Sequence, residues 1–409
     1  MKVEIIAIGN EVVYGHTVNT NASYLAKEVQ ALGMQPVYMS ALCDDRRSIK
    51  EATQLAMKRS DIILFTGGLG PTPDDLTKEA ICDALDLALQ VREKELEQLK
   101  SYFNKLGRRM TVNNEKQAAF PSEAIVLPND CGTAPGMVIE REGRTLILLP
   151  GPPKEMKMMF FKYVRPLLQE KSTYKSGSLD IKCFGIGESE LAARISHLLG
   201  THGTVTVATY IDGGEVVVRI TAYGYDEQAY QKPIDEMKSK VESCLSDFII
   251  GYNEDTLEQN VVSLLLKKHL TVSTVESCTG GLIAATLVNC SGASGCLNES
   301  IVTYSNEAKM AYVGVQKETL DSVGAVSEET ARQMAEGIRK RANVDIGLAS
   351  TGIAGPGGGT PTKPVGLVYI GIAMKEQTEV FKLQLNGSRQ EVREKTVKHI
   401  LFQLYQKLK

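Results

Sequence analysis

Ser277 stands where a nucleophilic serine could act. It follows an apolar, β-branched run at 270–275 and precedes the turn Thr279-Gly280-Gly281, behind which residues 282–288 form an uncharged helical pattern. In such a strand–turn–helix unit the first N–H groups of the helix lack intrahelical partners, so they could stabilise an oxyanion or bind a phosphate. The spacing differs from the Gly-x-Ser-x-Gly elbow. On spacing alone, capping of the helix by Ser277 and Thr279 is the stronger interpretation.

The sequence must also supply a base for Ser277, because no histidine occurs in the next hundred residues. Tyr304 ends a predicted strand (301–304), and Lys309 follows five residues later among small side chains. Partial desolvation would lower the pKa of Lys309 and make its amine a usable base. Taken alone, Lys309 is more simply interpreted as a solvated helix lysine.

Two later stretches could complete a site around Ser277. A second glycine-rich loop, 349–359, follows another apolar strand pattern and offers hydroxyl and backbone donors. Arg389 stands at the start of the last predicted helix, where the helix dipole disfavours a cation. This placement favours a phosphate or carboxylate ligand over simple capping.

A separate anion site is indicated by Thr66–Thr77, which follows a predicted buried strand and leads into a predicted helix over 75–89. Its three glycines let backbone amides approach an anion closely. Asp74 and Asp75, at the predicted helix start, suit a hard divalent cation that would neutralise phosphates. An acidic first turn that satisfies the helix dipole is the alternative. Turns at 9–11, 129–136 and 149–156 lie near other predicted strand ends, which favours a phosphate-containing ligand here.

The elements that must position these residues indicate an α/β protein of three domains. Residues 1–170 alternate strands and helices, which predicts βαβ units on a parallel sheet. Residues 170–177 are polar and are predicted to be a linker. Residues 171–251 show an α+β pattern with a hairpin turn at 211–214. Residues 252–409 again alternate strands and helices as an α/β sandwich.

Composition narrows the class of protein. The chain has 409 residues, 43% hydrophobic and 23% charged, with a net charge of −3, which argues against a dedicated nucleic-acid binder. No apolar run approaches the ~18 residues of a membrane span. The chain starts directly with a predicted strand, and its eight cysteines are scattered without metal-site spacing. We therefore expect a cytoplasmic protein with reduced thiols and no membrane association.

Together the N-terminal stretches resemble the molybdopterin-binding (MogA/MoaB-like) fold, in the form found in the N-terminal domain of the CinA family (competence/damage-inducible protein A). The resemblance implies an α/β sandwich that hydrolyses ADP-ribose to AMP and ribose 5-phosphate with a divalent metal (Mg, Mn or Co). It implies metal ligands at Asp74, Asp75 and Glu11. The substrate-binding positions that it implies are Gly9, Asn21, Thr66, Gly67, Gly68, Gly70, Gly132 and Thr133. Asn10 departs from the family, many members of which carry aspartate there.

The C-terminal stretches are similar to the CinA C-terminal domain, a nicotinamide-nucleotide amidase. The intact motifs are Glu-Ser-Cys-Thr-Gly-Gly at 276–281, Val-Thr-Tyr-Ser-Asn-Glu-Ala-Lys at 302–309, Gly-Ala-Val-Ser-Glu at 324–328, Gly-Ile-Ala-Gly-Pro at 352–356 and Lys-Pro-Val-Gly at 363–366. The resemblance implies Ser277 as nucleophile, activated by Tyr304 and Lys309, with Arg389 on the nucleotide phosphate and no cofactor. The other substrate-binding positions that it implies are Cys278, Thr279, Gly280, Gly281, Ser294, Thr351 and Gly352.

The middle segment resembles a KH-like domain, which would suggest nucleic-acid binding. Residues 171–250 carry eight Lys or Arg and eleven Asp or Glu, however, so the positive charge needed for phosphate neutralisation is missing. A spacer or dimerisation module is the stronger interpretation, and we expect a homodimer.

The leading hypothesis is a bifunctional hydrolase of pyridine-nucleotide salvage. The C-terminal site would convert nicotinamide mononucleotide to nicotinate mononucleotide and ammonia, and the N-terminal site would cleave ADP-ribose. A pterin-binding N-terminal domain is an alternative, because one fold hosts both functions. A non-enzymatic role in competence or DNA uptake is a third hypothesis, suggested only by the family's name.

Overall fold

The chain forms two compact units in a computed structural model that describes residues 1–105, 107, 109–172 and 174–409. The first comprises Met1–Ser178, His202–Val205 and Thr221–Glu236, and the second comprises Leu179–Thr201, Thr206–Ile220 and Met237–Lys409. No helix in the described part of the chain is long and apolar enough to cross a membrane.

The N-terminal region is a six-stranded sheet flanked by helices. Its strands are β1 Lys2–Ile8, β2 Gln35–Leu42, β3 Ile62–Thr66, β4 Gln90–Val91, β5 Ala119–Phe120, β6 Ile125–Leu127, β7 Gly136–Arg141 and β8 Arg144–Leu149. Its helices are α1 Asn10–Val13, α2 Thr20–Ala31, α3 Arg46–Arg59, α4 Thr77–Ala84, α5 Glu93–Lys105, α6 Pro153–Met159 and α7 Arg165–Lys171, with a 3-10 helix at Val112–Ala118 and a π-helical turn at Phe160–Val164. The sheet order is β2-β1-β3-β8-β7-β6, and β4 pairs separately with β5.

Alternate side chains of these strands face two apolar layers. Val3 and Ile5 of β1 pack into one buried cluster, and Ile6 and Ile8 pack into the other. The predicted parallel sheet is confirmed for β2, β1, β3 and β8. It is wrong for β7, which pairs antiparallel with β8. The two-residue turn between these strands is too short for the crossover that a parallel pair needs.

The helix predicted from residue 75 begins later, at Thr77. The Thr77 hydroxyl donates to the Gly67 carbonyl at 2.9 Å, and the Thr77 N–H donates to the Gly68 carbonyl at 3.2 Å. These bonds fix the start of α4 against the glycine turn. Asp74 and Asp75 consequently lie in the loop before the helix. The sequence-based prediction that they lie at the start of the helix is wrong.

The predicted linker at 170–177 is mostly regular structure. Helix α7 continues to Lys171, and the next strand, β9, begins at Lys175. Thr173, which also belongs to that predicted linker, lies outside the described residues.

The middle region has an α+β arrangement built on a five-stranded sheet. Its elements are β9 Lys175–Cys183, α8 Glu188–Arg194, β10 Gly200–His202, β11 Val205–Asp212, β12 Glu215–Gly224, α9 Glu227–Leu245 and β13 Ile249–Tyr252. The sheet order is β10-β11-β12-β9-β13. The predicted hairpin is present, with Gly213 and Gly214 at φ 54° and 83° between β11 and β12.

The C-terminal region is built on another five-stranded sheet, which is covered on both faces. Its elements are α10 Leu257–Lys267, β14 Val272–Glu276, α11 Leu282–Val288, β15 Leu297–Val302, α12 Asn306–Val313, α13 Lys317–Ser322, α14 Glu328–Ala342, β16 Ile346–Gly352, β17 Leu367–Ala373, β18 Thr378–Gln384 and α15 Arg389–Leu408. The order is β15-β14-β16-β17-β18, with β14 parallel to both of its neighbours. Two apolar clusters cover its faces. The carboxyl ends of β14, β15 and β16 therefore meet at one edge, where Ser277 follows β14.

Candidate active site

The turn that carries Ser277 extends the central strand. The Ser277 N–H donates to the Ser350 carbonyl at 3.0 Å and so continues the pairing of β14 with β16. Gly280 and Gly281 then adopt φ angles of 59° and 93°, which favour glycine. Helix α11 begins at Leu282. The predicted strand, turn and helix are confirmed.

The N–H groups at the start of α11 are not available to a ligand, contrary to the sequence-based expectation. The buried Glu276 carboxylate accepts hydrogen bonds from the N–H groups of Gly281, Ile283 and Ala284, at 2.9, 3.1 and 2.9 Å. Helix capping by Ser277 or Thr279 is also wrong, because the Thr279 hydroxyl instead pairs with that of Ser350 at 2.6 Å. Among the described residues no group accepts the N–H of Gly280, three residues after Ser277.

Lys309 is the residue that the structure brings to Ser277. Its Nζ lies 3.1 Å from Ser277 Oγ, 2.9 Å from the Thr303 carbonyl oxygen and 3.4 Å from that of Tyr304. The side chain is only 1% exposed, so the interpretation as a solvated lysine is wrong. Burial lowers the pKa of Lys309 below its ordinary value of 10.5. As an ammonium, Lys309 can donate to all three oxygens; once it loses a proton, two N–H groups can still meet the carbonyls while the lone pair faces the Ser277 hydroxyl.

Tyr304 does not contact Ser277 through its hydroxyl. The side chain is 65% exposed, and its hydroxyl accepts a hydrogen bond from Arg389 Nη2 at 3.1 Å. Arg389 Nη1 donates to the Gly355 carbonyl at 2.8 Å. One helical turn later, Arg393 Nη2 donates to the Thr279 carbonyl at 2.8 Å and lies over the Ser277 turn. Arg393 was missed by the sequence analysis, although its i+4 spacing from Arg389 puts both on one face of α15.

Three other predicted residues have mainly structural contacts. The Thr351 hydroxyl donates to the Ala325 carbonyl at 2.7 Å. A Cβ on Gly352 would lie 2.7 Å from a Val368 methyl, so this glycine permits close packing of β16 on β17. Burial raises the pKa of the Cys278 thiol to about 11, which keeps it protonated at neutral pH.

Ser294 is not brought to Ser277 within one chain. It lies in a 3-10 turn that leads into β15, and the carbonyl of nearby Cys296 accepts the N–H of Val272, the first residue of β14. Ser277 follows the opposite end of that strand. Five residues at ~3.3 Å each put the two ends about 16 Å apart.

A second cleft, of about 530 Å³, opens at the carboxyl ends of the N-terminal strands. Nine predicted residues line it: Gly9, Glu11, Asn21, Gly67, Gly68, Gly70, Asp74, Asp75 and Thr133. Thr66 and Gly132 each contact a residue that lines the cleft. The Thr66 hydroxyl accepts from Asn21 Nδ2 at 3.0 Å, and a Cβ on Gly132 would lie 2.2 Å from the Glu155 carboxylate.

The cleft also contains Glu155, from the turn predicted at 149–156, and Asp44, a carboxylate that the sequence analysis missed. Burial raises the pKa of Asp44, and the negative charges of Glu11, Asp74 and Asp75 raise it further, while a hydrogen bond from the Asn10 N–H opposes the shift. Asp44 follows β2, and the rule that ligands bind at the carboxyl ends of parallel strands could have identified it.

These oxygen donors fit a hard divalent cation by type and by charge. Three acids that raise the pKa of a fourth repel one another, and a cation would relieve that repulsion. Within the described ranges no three His, Cys, Asp or Glu side chains already converge closely enough to hold a metal.

Comparisons with known proteins assign all three regions. Residues 4–170 match the probable molybdopterin binding domain, 179–251 match the damage-inducible protein CinA KH domain, and 254–408 match the CinA C-terminal domain. The class is thus a mixed α/β protein that joins a MoaB-like region to a KH region and a CinA C-terminal region.

Full-length relatives agree with this assignment. The putative competence-damage inducible protein of Thermoanaerobacter sp. (strain X514) is 46% identical over 98% of this chain and 97% of its own length. That of Clostridium perfringens (strain 13 / Type A) is 48% identical over 98% of this chain and 97% of its own. The chain belongs to the CinA family. A crystal structure of competence/damage inducible protein CihA from Agrobacterium tumefaciens matches 37% of this chain and 94% of its own, at 39% identity and a TM-score of 0.35.

Proposed function

We propose that the C-terminal region is a serine amidase that converts nicotinamide mononucleotide to nicotinate mononucleotide and ammonia. The observation that carries this proposal is the distance of 3.1 Å between Ser277 Oγ and Lys309 Nζ. Lys309 is buried and has no carboxylate partner among the described residues. Serine–lysine pairs are a known variant of nucleophile activation in acyl transfer. A neutral lysine at this distance removes the need for a histidine.

In the first step the Lys309 amine takes the Ser277 proton while Oγ attacks the carboxamide carbon. The new C–O bond puts negative charge on the carbonyl oxygen, for which the Gly280 N–H, which has no acceptor among the described residues, is a candidate donor. As the tetrahedral intermediate collapses, the C–N bond breaks and the Lys309 ammonium returns its proton to the leaving nitrogen. Ammonia leaves, and the acyl group stays on Ser277 as an ester.

In the second step water replaces ammonia. The neutral Lys309 amine takes a proton from water, whose oxygen attacks the ester carbonyl. Breakage of the bond to Ser277 Oγ then releases the carboxylic acid, and Oγ regains its proton. One water is consumed for each ammonia formed, and no redox partner is required.

The charge beside Ser277 supports a phosphate-bearing amide as substrate. The Arg389 and Arg393 guanidinium groups donate to neutral oxygens: Gly355 and Thr279 carbonyls, the Tyr304 hydroxyl and the Gln390 amide. In the described ranges neither has a carboxylate at ion-pair distance. Two such groups on one helix face suit a dianionic phosphate, which guanidinium binds in a fork.

The test is ammonia release from nicotinamide mononucleotide by the full chain. Ser277→Ala should lower kcat by a factor on the order of 10³ or more. Ser322→Ala, which removes an exposed hydroxyl on α13 that only meets its own helix, is the matched control. Nicotinamide riboside, which lacks the phosphate, should be a much poorer substrate. Wild-type rates in the Ser277→Ala protein would refute the proposal.

A second activity, metal-dependent hydrolysis of ADP-ribose, is supported by the acid-lined N-terminal cleft. Glu11, Asp44, Asp74 and Asp75 are the residues that would hold a divalent cation, and a bound cation would neutralise the pyrophosphate and polarise it toward attack. A Cβ at Gly67 would lie 2.0 Å from the Ile8 carbonyl oxygen, so this glycine lets the turn lie close against the end of β1 at the cleft.

Calorimetric titration with ADP-ribose and, separately, with molybdopterin tests this second candidate. We expect ADP-ribose to bind and to be cleaved to AMP and ribose 5-phosphate only when Mg²⁺ or Mn²⁺ is present. Binding of molybdopterin without any binding of ADP-ribose would favour the pterin-binding alternative.

A further inference from the structure

Glu276 is a buried carboxylate that joins the strand before Ser277 to the helix behind it. Its Oε2 accepts the N–H groups of Gly281 and Ile283, and its Oε1 accepts that of Ala284. The Thr274 hydroxyl lies 3.4 Å from Oε1. Every one of these partners is a hydrogen-bond donor, so the environment accepts the carboxylate and opposes an amide, whose NH₂ group would meet other donors.

The same residue holds both ends of the Ser277 turn. Its backbone lies in β14, between β15 and β16, and its side chain fixes the first residues of α11. The four residues between these anchors, 277–280, are therefore closed into a loop by one side chain. Gly280 and Gly281 are conformationally permissive, so their end of the loop depends on the Glu276 bonds, whereas Ser277 and Thr279 are also held by Ser350.

Glu276 is also linked to Lys309 through one residue. The Glu276 carbonyl accepts the Thr303 N–H at 2.9 Å, and the Thr303 carbonyl accepts from Lys309 Nζ at 2.9 Å. The backbone of Glu276 thus sets the position of the base, while its side chain sets the position of the nucleophile's turn. The carboxylate itself forms no ion pair with Lys309.

We propose that Glu276 is a positioning residue that keeps Ser277 Oγ within hydrogen-bonding distance of Lys309 Nζ by capping α11. This role rests on the proposed amidase function, because it assumes that Ser277 is the nucleophile. It accounts for a fully buried carboxylate beside a site that needs no acid. It also explains why the first amides of α11 do not bind the substrate, since they donate to the Glu276 side chain.

The experiment compares the wild-type full chain with Glu276→Gln and Glu276→Asp. The readout is the rate at which a fluorophosphonate, which modifies activated serines, labels Ser277, followed by mass spectrometry. Glu276→Gln should label at least ~10-fold more slowly, because a displacement of about 1 Å costs up to ~10²-fold. Glu276→Asp keeps the charge with a shorter reach and should fall between the two. The labelling rate of Glu276→Asp should fall toward low pH in the same way as that of the wild type, because the carboxylate does not contact Lys309.

Thr256→Ala is the control for a purely structural effect. Thr256 caps α10 in the same region, so its loss should lower the melting temperature and leave the labelling rate unchanged. If Glu276→Gln does not fold, the comparison of Glu276→Asp with wild type decides. Equal labelling of these two proteins would overturn the proposal, as would equal slowing in Thr256→Ala or a wild-type Ser277 that does not react. Ammonia release is measured separately, so a failure of the substrate assignment remains distinguishable.

Discussion

Arg389 and Tyr304 are joined by a hydrogen bond of 3.1 Å from the guanidinium to the phenol oxygen, across the mouth of the Ser277 site. Arg389 begins α15, whereas Tyr304 follows β15, so the bond links two elements that are 85 residues apart in the chain. The bond lets the Tyr304 hydroxyl orient Arg389, while its role in the activation of Ser277 stays a prediction.

Tyr304→Phe should therefore weaken substrate binding more than chemistry. Loss of one hydrogen bond that orients Arg389 costs about 1 kcal/mol, which corresponds to a KM for nicotinamide mononucleotide raised ~5-fold, with kcat within about twofold of wild type. Steady-state kinetics of ammonia release measure both constants. Tyr312→Phe, which changes an exposed side chain of α12, is the matched control. A large fall in kcat with an unchanged KM would show that the Tyr304 hydroxyl takes part in the chemical step.

Lys309→Met should abolish deamidation while the fold is retained. General-base catalysis contributes ~10²–10⁴-fold, and Met occupies similar volume without a nitrogen. Lys268→Met, an exposed substitution, should have no effect. A Lys309→Met protein that is folded and fully active would show that another base serves Ser277.

The pH dependence of the wild-type reaction should reflect the same amine. Only neutral Lys309 can accept the serine proton, so kcat/KM should rise with pH through the Lys309 pKa and then level off. Because burial lowers that pKa below 10.5, the plateau should begin at lower pH than a solvated lysine would allow. A rate that is independent of pH on the acid side would contradict this assignment.

Asp44→Asn should weaken cation binding in the N-terminal cleft. The substitution removes one of four mutually repelling acids, so the metal-free protein should be as stable as the wild type or slightly more stable. Mn²⁺ should bind ~10-fold less tightly by titration calorimetry. Asp130→Asn, whose carboxylate pairs with Lys162 on the surface, is the control. Unchanged Mn²⁺ affinity would place the cation elsewhere.

A C-terminal fragment from residue 253 should be less stable than one from residue 179. Phe402 packs edge-on against Phe184, with ring centroids 5.4 Å apart, and Ile250 belongs to the same buried cluster. Removing two buried side chains costs ~3–6 kcal/mol, a lowering of the melting temperature on the order of 10 °C. Thermal unfolding of both fragments measures this. Equal melting temperatures would show that residues 253–409 form a self-sufficient core.

Both fragments should release ammonia, since Ser277, Lys309 and Arg389 all lie beyond residue 253. A folded short fragment that is inactive beside an active long one would show that the site depends on residues 179–252.

Local patterns predicted the strand, turn and helix around Ser277, because apolar runs and glycine turns are short-range signals. They could not predict that Glu276 occupies the amides of α11, since a buried glutamate and a solvent-facing one look alike in sequence. The position of Lys309 depends on hydrogen bonds of its Nζ with Ser277, 32 residues earlier, and with the Thr303 carbonyl. Its neighbours along the chain supplied only the suggestion of a small-residue environment.

The N-terminal errors have similar causes. The glycine turn was identified, but the start of α4 was displaced by two bonds of Thr77 to residues about ten positions earlier. Asp44 escaped notice because it lies far in sequence from the glycine turn, and parallel strands alone bring the two together. Arg393 could have been found from helical spacing. Ser294 could not have been placed without the register of β14 and β15.

The occupied N-terminus of α11 also determines how inorganic anions should compete with the substrate. Phosphate or sulfate in a buffer, or phosphate in a cell, cannot bind those amides, because they already donate hydrogen bonds to the Glu276 carboxylate. Competition should therefore arise at Arg389 and Arg393 alone, and should disappear when both are replaced. The enzyme would thus distinguish a nucleotide from free phosphate by what is attached to the phosphate, because the serine's own helix offers no anion site that phosphate could block.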